Sequence, residues 1–324
     1  MTLKKFARLT ISFISAFFFI WLISQQISVE EIEHSFAGLS PAWATAALAA
    51  FFVGYMSRIE RWRLMLHIGN PRLKWRNCAG PLLGSFATNN VLPFRAGDLL
   101  RAFAFNRQLG TTSGVILATL FVERLLDLLM VLVLLLIFLS VLDIDSAKFA
   151  GVGNAALGLP VLGITTLLLF PQFCATPLTK LGERVARMTP KRGHKIANEI
   201  SKSLETLQYM AQGNTMIKLI TWSIIAWLAE GCVFWFAALS LPAISAPIAA
   251  WLALPIGTLA TLIPSTPGYV GTFDYFTVHA MSQLGNSSAA AAAFALLVHT
   301  LLWLPPTLIG GLYLLFYRLR PRDI

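Results

Sequence analysis

Apolar residues dominate the chain, and polar ones interrupt them at a spacing that predicts membrane-crossing helices. Long apolar runs cover about residues 9–27, 42–57, 113–142, 152–171, 215–240 and 289–317. Most reach the roughly 20 helical residues needed to cross the hydrocarbon core. Two further runs are interrupted. Residues 79–92 are too few to span and are broken by Asn89, Asn90 and Pro93, and residues 247–263 stop at Pro264. Each is followed by a short polar-flanked continuation, so each predicts a helical hairpin that enters the membrane and turns back. Irregular backbone at membrane depth survives only against protein or a water-filled cavity, so both tips are expected to line a cavity. Residues 178–212 are rich in lysine and arginine, with Ile196, Ile200, Leu204 and Leu207 at helical spacing. They predict an amphipathic helix at the membrane interface and the seam between two halves.

Composition agrees. Of 324 residues, 56% are hydrophobic and 12% charged, against about 25% charged in a soluble domain. The net charge of +10 sits in short loops, which reads as the positive-inside rule rather than a nucleic-acid surface. Lys4, Lys5 and Arg8 precede the first run. Arg58, Arg61, Arg63, Arg72, Lys74 and Arg76 follow the second, and Arg318, Arg320 and Arg322 follow the last. Glu30, Glu31 and Glu33, and later Asp143 and Asp145, mark outside ends. This pattern predicts a multi-pass protein of a bacterial-type inner membrane with both termini cytoplasmic. The first run is longer than a signal-peptide core and lacks a small-residue cleavage site, so it is expected to remain as a span. Cys78, Cys174 and Cys232 are scattered and support neither a disulfide framework nor a metal site.

The elements fall into two series of the same order: span, span, hairpin, span. The first half, 1–145, starts inside and the second, 146–324, starts outside. The fold expected is therefore all-α, with two inverted-topology halves, each of about three spans and one broken or re-entrant hairpin. Such repeats meet at the midplane in secondary transporters. A motif echo supports the pairing: Pro93 and Gly97 share the spacing of Pro267 and Gly271.

Charge inside apolar segments is costly and marks candidate sites. Asn89, Asn90, Pro93, Arg95, Gly97, Asp98 and Arg101 surround the first break. A helix start with two guanidinium groups suits a phosphate; a positive anchor at the hairpin mouth fits the same residues. Glu123 and Asp127 share one helix face and need counter-charge, which Arg124 supplies in part and Arg101 or Arg95 of the hairpin can complete, as gating residues or as a structural ion-pair network. Glu230 has no local partner. Asp274, after Pro267, Gly268 and Gly271, caps a short helix or titrates during transport. His279 and His299 are available to it but read more simply as packing residues. The sequence carries no phosphate-binding glycine loop, nucleophile elbow or metal-ligand spacing, and no cofactor is expected.

The stretch Asn90–Arg101, then Glu123-Arg124-Leu125-Leu126-Asp127, then Pro264–Asp274, resembles the lysylphosphatidylglycerol synthase transmembrane-region (flippase-like) family along essentially the whole chain. In synthase members a soluble C-terminal domain makes aminoacylated lipid, and the membrane region is implicated in flipping it. This chain stops at Ile324 without that domain, so the resemblance implies the transport part. Family versions often carry Glu where Asp98 and Asp274 stand, which keeps the carboxylate. The expectation is a flippase or transporter for an anionic phosphate-containing lipid: an aminoacyl-phospholipid, a polyprenyl-phosphate or a glycolipid precursor. Two rivals stand beside it, a membrane enzyme modifying a lipid headgroup and a non-catalytic accessory subunit working with lipid-synthesis enzymes.

Overall fold

The computed structural model describes residues 29–92, 95–142, 154–173, 177, 179–180, 184, 190–263 and 266–319. The expected first span 9–27, Pro93, Pro264, Asp143, Asp145, Arg320 and Arg322 lie outside the described residues. Among those described there are helices and no strands. In order they are α1 (Val29–Ser35), α2 (Pro41–Leu66), α3 (Trp75–Val91), α4 (Ala96–Ala104), α5 (Asn106–Leu109), α6 (Ser113–Val141), α7 (Asn154–Leu169) and α8 (Pro190–Ala211). Then come α9 (Gly213–Ser240), α10 (Ala249–Ala260), α11 (Thr272–Gln283) and α12 (Ser288–Leu319).

The helices α2, α6, α9 and α12 are long and apolar enough to cross a membrane, and α7 and α10 are shorter apolar helices. Large apolar side chains face outward on them, including Val53 and Met56 on α2 and Leu308, Leu312 and Leu315 on α12. In water these would be a liability; against lipid they are the expected outer face. The inward face of α12 is instead built of small residues. Ala290, Ala291 and Ala293 are fully buried, which lets helix backbones approach closely where lipid supplies no hydrophobic drive. The chain is an all-α, multi-pass membrane protein.

Several boundaries differ from expectation. The helix α2 does not end near Met56 but continues to Leu66, so Arg58, Arg61 and Arg63 lie on a helix and not in a loop. Pro41 does open α2, but the Ser40 hydroxyl makes no capping bond. Its backbone N–H donates instead to the Ser240 carbonyl at 2.8 Å and ties the start of α2 to the end of α9. The amphipathic helix α8 docks on the start of α6. There Glu199 accepts from the Gly114 N–H at 2.6 Å and Ser203 donates to the Gly114 carbonyl at 2.9 Å. The carboxylate thus meets the positive end of the α6 dipole, and Leu204 and Leu207 are buried beneath it.

Five contacts organise the rest. α2 packs along α9, α3 along α12, α10 along α6, and each short helix folds back on the one before it, α4 on α3 and α11 on α10. At both interruptions the chain continues into a short helix that packs on the one before it.

Candidate functional site

At the first break, Asn89 turns back from the end of α3 to hold the start of α4. Its Oδ1 accepts from the Gly97 N–H at 2.7 Å and its Nδ2 donates to Asp98 Oδ1 at 3.0 Å. One of the orphan donors of a helix start is satisfied this way. Gly97 is required by contact, since a Cβ there would run into the Ser85 carbonyl. Arg124 on α6 places Nη2 3.1 Å from both Asp98 oxygens, fastening α4 to the span. Arg95, at the N-cap, sits in the left-handed region with φ 51°.

The second break uses a related device. Residues Pro267–Tyr269 form a single 3-10 turn, in which Gly268 takes φ 72°. The Gly271 N–H donates to Asp274 Oδ2 at 2.9 Å. Asp274 Oδ1 lies 2.7 Å from Nδ1 of His299 on α12, and His299 Nε2 lies 2.9 Å from the Gly268 carbonyl oxygen.

The breaks correspond in register, though not as the Pro-x3-Gly spacing predicts. Gly97 is the second residue of α4, whereas Gly271 is the N-cap of α11. What aligns are the aspartates. Asp98 and Asp274 are each the third residue of their helix, and their partners Arg124 and His299 are each the twelfth residue of a long span.

Three further pairs brace the spans. Arg58 pairs with Glu230 and lies over the rings of Tyr55 and Trp227. Arg61 meets Asp127 at 2.8 Å and Ser223 at 2.9 Å, while Trp227 Nε1 donates to Asp127 at 3.2 Å. Arg101 meets Glu123 at 2.8 Å, both almost fully buried, with its guanidinium 4.8 Å above Trp62. Arg101 Nε and Nη1 have no acceptor, and the Trp62 face is what they meet.

A cavity of about 380 Å³ opens between the two breaks. Of the residues singled out from sequence, Asn89, Asn90, Arg95, Arg124, Asp127, Glu230 and Gly268 line it. Gly97, Asp98, Arg101, Glu123, Pro267, Gly271 and Asp274 are not in its wall and act through neighbours. Of the two expected roles of Arg101 the structure places it in the pairing one: it is sealed against Glu123 and does not reach the cavity. Arg58, Tyr269 and His299 also line the wall, with Tyr55, Trp227 and Trp303 among the aromatics. The first tip closes the wall against α12, where Asn90 donates to Thr307 at 2.8 Å.

Among the described residues two non-glycine residues have positive φ, Arg95 and Tyr269. Each is in one tip and each lines the cavity. Such strain persists where the surroundings impose it, and it concentrates at functional sites. Charge is also unevenly settled. Asp98, Glu123, Asp127, Glu230 and Asp274 each have a basic partner, and Arg95 has no acidic partner among the described residues. Among those residues no three His, Cys, Asp or Glu side chains converge as metal ligands.

A helical, multi-pass membrane protein with a charged cavity between two broken helices is the class these observations define. The sequence model of the family described as Lysylphosphatidylglycerol synthase TM region matches residues 6–310, and the chain belongs to that family. It is thereby a membrane protein related to lipid modification or transport. None of the curated proteins matches the chain.

Proposed function

We propose that this protein moves an anionic, phosphate-bearing lipid across a bacterial-type inner membrane, passing the headgroup through the cavity between the two breaks. The observation that carries the proposal is Arg95: a cation in the cavity wall, in a strained conformation, with every nearby acid already paired. A phosphate supplies the missing partner, and a guanidinium can hold it through two parallel hydrogen bonds. The apolar and aromatic remainder of the wall suits the upper acyl or prenyl chain. Aminoacyl-phospholipids, polyprenyl-phosphates and glycolipid precursors all present that chemistry.

Reading the two halves as an inverted repeat favours movement over static binding. Exchanging α2 with α9, α3 with α10, α4 with α11 and α6 with α12 maps the major packing contacts onto one another. The α3–α12 contact becomes α10–α6, and the α2–α9 contact maps onto itself. A packing arrangement with two equivalent solutions is what alternating access needs. On this reading both breaks are re-entrant tips, both termini are cytoplasmic, and Asp127 and Glu230 gate the cavity through Arg61 and Arg58.

The test is lipid movement in proteoliposomes containing a fluorescent phosphatidylglycerol analogue, with wild type beside Arg95→Ala. Removing a charged hydrogen-bond partner is expected to slow movement about ten- to hundredfold. Folded wild type that moves no anionic lipid, or an Arg95→Ala variant as fast as wild type, overturns the proposal.

A further inference from the structure

Asp98–Arg124 and Asp274–His299 occupy the same register, but their protons differ. A guanidinium stays charged at every physiological pH, while an imidazole gains or loses its charge between about pH 5 and 8. His299 is held at both nitrogens. The Gly268 carbonyl oxygen, 2.9 Å from Nε2, can only accept, so Nε2 carries a proton. Nδ1 and Asp274 Oδ1, 2.7 Å apart, need a second proton between them. The pair is therefore either imidazolium with carboxylate or imidazole with carboxylic acid, and it is neutral in total. Releasing that one proton leaves it at net −1, with two lone pairs facing each other in a site where each side chain is under 20% exposed.

The surroundings isolate this proton. Asp274 is the charged group in contact with His299 among the described residues. From α10 and the cavity end of α3 no titratable side chain faces it. Across the cavity Arg58 on α2 is paired with Glu230 on α9, and Arg124 and Asp127 on α6 are paired with Asp98 and Arg61. Arg95 of the first tip and the phenols of Tyr55 and Tyr269 complete the titratable lining. The Phe273 ring packs edge-on at 5.3 Å and shields the imidazole.

We infer that Asp274, His299 and the Gly268 carbonyl form a binding site for a single proton, which clasps the second tip to α12 when filled and frees it when emptied into the cavity. As the coupling site for lipid movement it rests on the transport reading above; as a proton site it does not. The clasp holds at low pH. If only the clasped form binds this proton, the ratio of clasped to released protein falls about tenfold per pH unit once the proton leaves.

Protein labelled with 15N-histidine and 13C-aspartate, in bilayers, titrated by solid-state NMR over about pH 5 to 9, reads the proton directly. The expected result is one proton, on Nδ1 or on the Asp274 carboxyl, lost in a single step; the responding imidazole is assigned by its absence in His299→Gln. Asp274→Asn keeps shape and donates its own amide N–H to Nδ1, so its step should vanish and His299 stay singly protonated throughout. A pair that never holds the second proton, or never releases it in this range, overturns the inference. In proteoliposomes, movement of the fluorescent phosphatidylglycerol analogue should respond to an imposed pH gradient in wild type and not in Asp274→Asn. Movement indifferent to the gradient in wild type overturns the coupling while leaving lipid transport standing. An NMR step without any lipid movement upholds the proton site and overturns the transport reading instead.

Discussion

The two short return helices can be compared position by position. At the N-cap the first has Arg95 and the second Gly271; at the second residue, Gly97 and Phe273; at the third, an aspartate in both; at the sixth, Arg101 and Thr277. The spans they lean on differ in the same sense, with Glu123 and Arg124 in one and Val298 and His299 in the other. The first tip is therefore fastened by permanent charges and the second by one aspartate and a titratable ring. Where the second half needs an N-cap of positive φ it uses glycine. The first half uses arginine and accepts left-handed strain of about 1–2 kcal/mol. An arginine kept at a position that suits glycine is kept for its side chain, and that side chain faces the cavity.

The largest expected effect tests the extra ion pair of the first half. Arg101→Ala leaves the buried Glu123 with Arg124 at 3.8 Å in place of its 2.8 Å partner, and should destabilise by about 3 kcal/mol in detergent unfolding. Arg101→Thr with Glu123→Val copies the second half and should cost less than half as much. A double variant as damaged as the single one breaks the comparison. Next, Arg95→Gly copies the other N-cap. Lipid movement should fall about ten- to hundredfold, while stability moves by less than about 1 kcal/mol, because relieved strain offsets lost chain stiffness. Asn89→Ala removes the side chain that joins α3 to Gly97 and Asp98, and should cost about 1–2 kcal/mol in the same unfolding experiment. Thr266→Ala, at an exposed tip position whose hydroxyl donates to Val270, should stay within about 0.5 kcal/mol. A larger loss would mean that the second tip is more rigid than its single clasp implies.

The described long helices and both breaks were legible in sequence, because proline, asparagine and glycine interrupt apolar runs wherever they stand. The charged site was legible in part. Glu123, Asp127 and Glu230 could be marked as needing partners, but Arg58 and Arg61 read as loop anchors. Their apolar run ends near Met56 while the helix continues ten residues further, to Leu66. The signal was present: two arginines three apart beyond the end of a span, and two acids in other spans without local cations. His299 was named as available to Asp274 but read more simply as a packing residue, since a lone histidine in an apolar helix usually is one and the pairing comes only through the fold. Arg101 was offered both to the phosphate and to the carboxylates of the next span, because spacing along the chain does not reveal which way that face of α4 turns. The Pro-x3-Gly echo pointed to the right pair of regions through positions that do not superimpose.

The near balance of charge in the wall has an electrical consequence. Among the described residues of the wall and those behind it, while the Asp274–His299 pair holds its proton, each embedded acid is matched by a base and Arg95 is one positive charge in excess. Moving one charge through the full membrane potential involves about 2.3 kcal/mol per 100 mV. A singly charged phosphate on Arg95 brings the sum to zero, so the loaded cavity changes its facing without electrical work. The empty cavity, still carrying Arg95, does not. On the transport reading the potential acts on the return stroke of the cycle, and turnover should depend on voltage only where that return is slow.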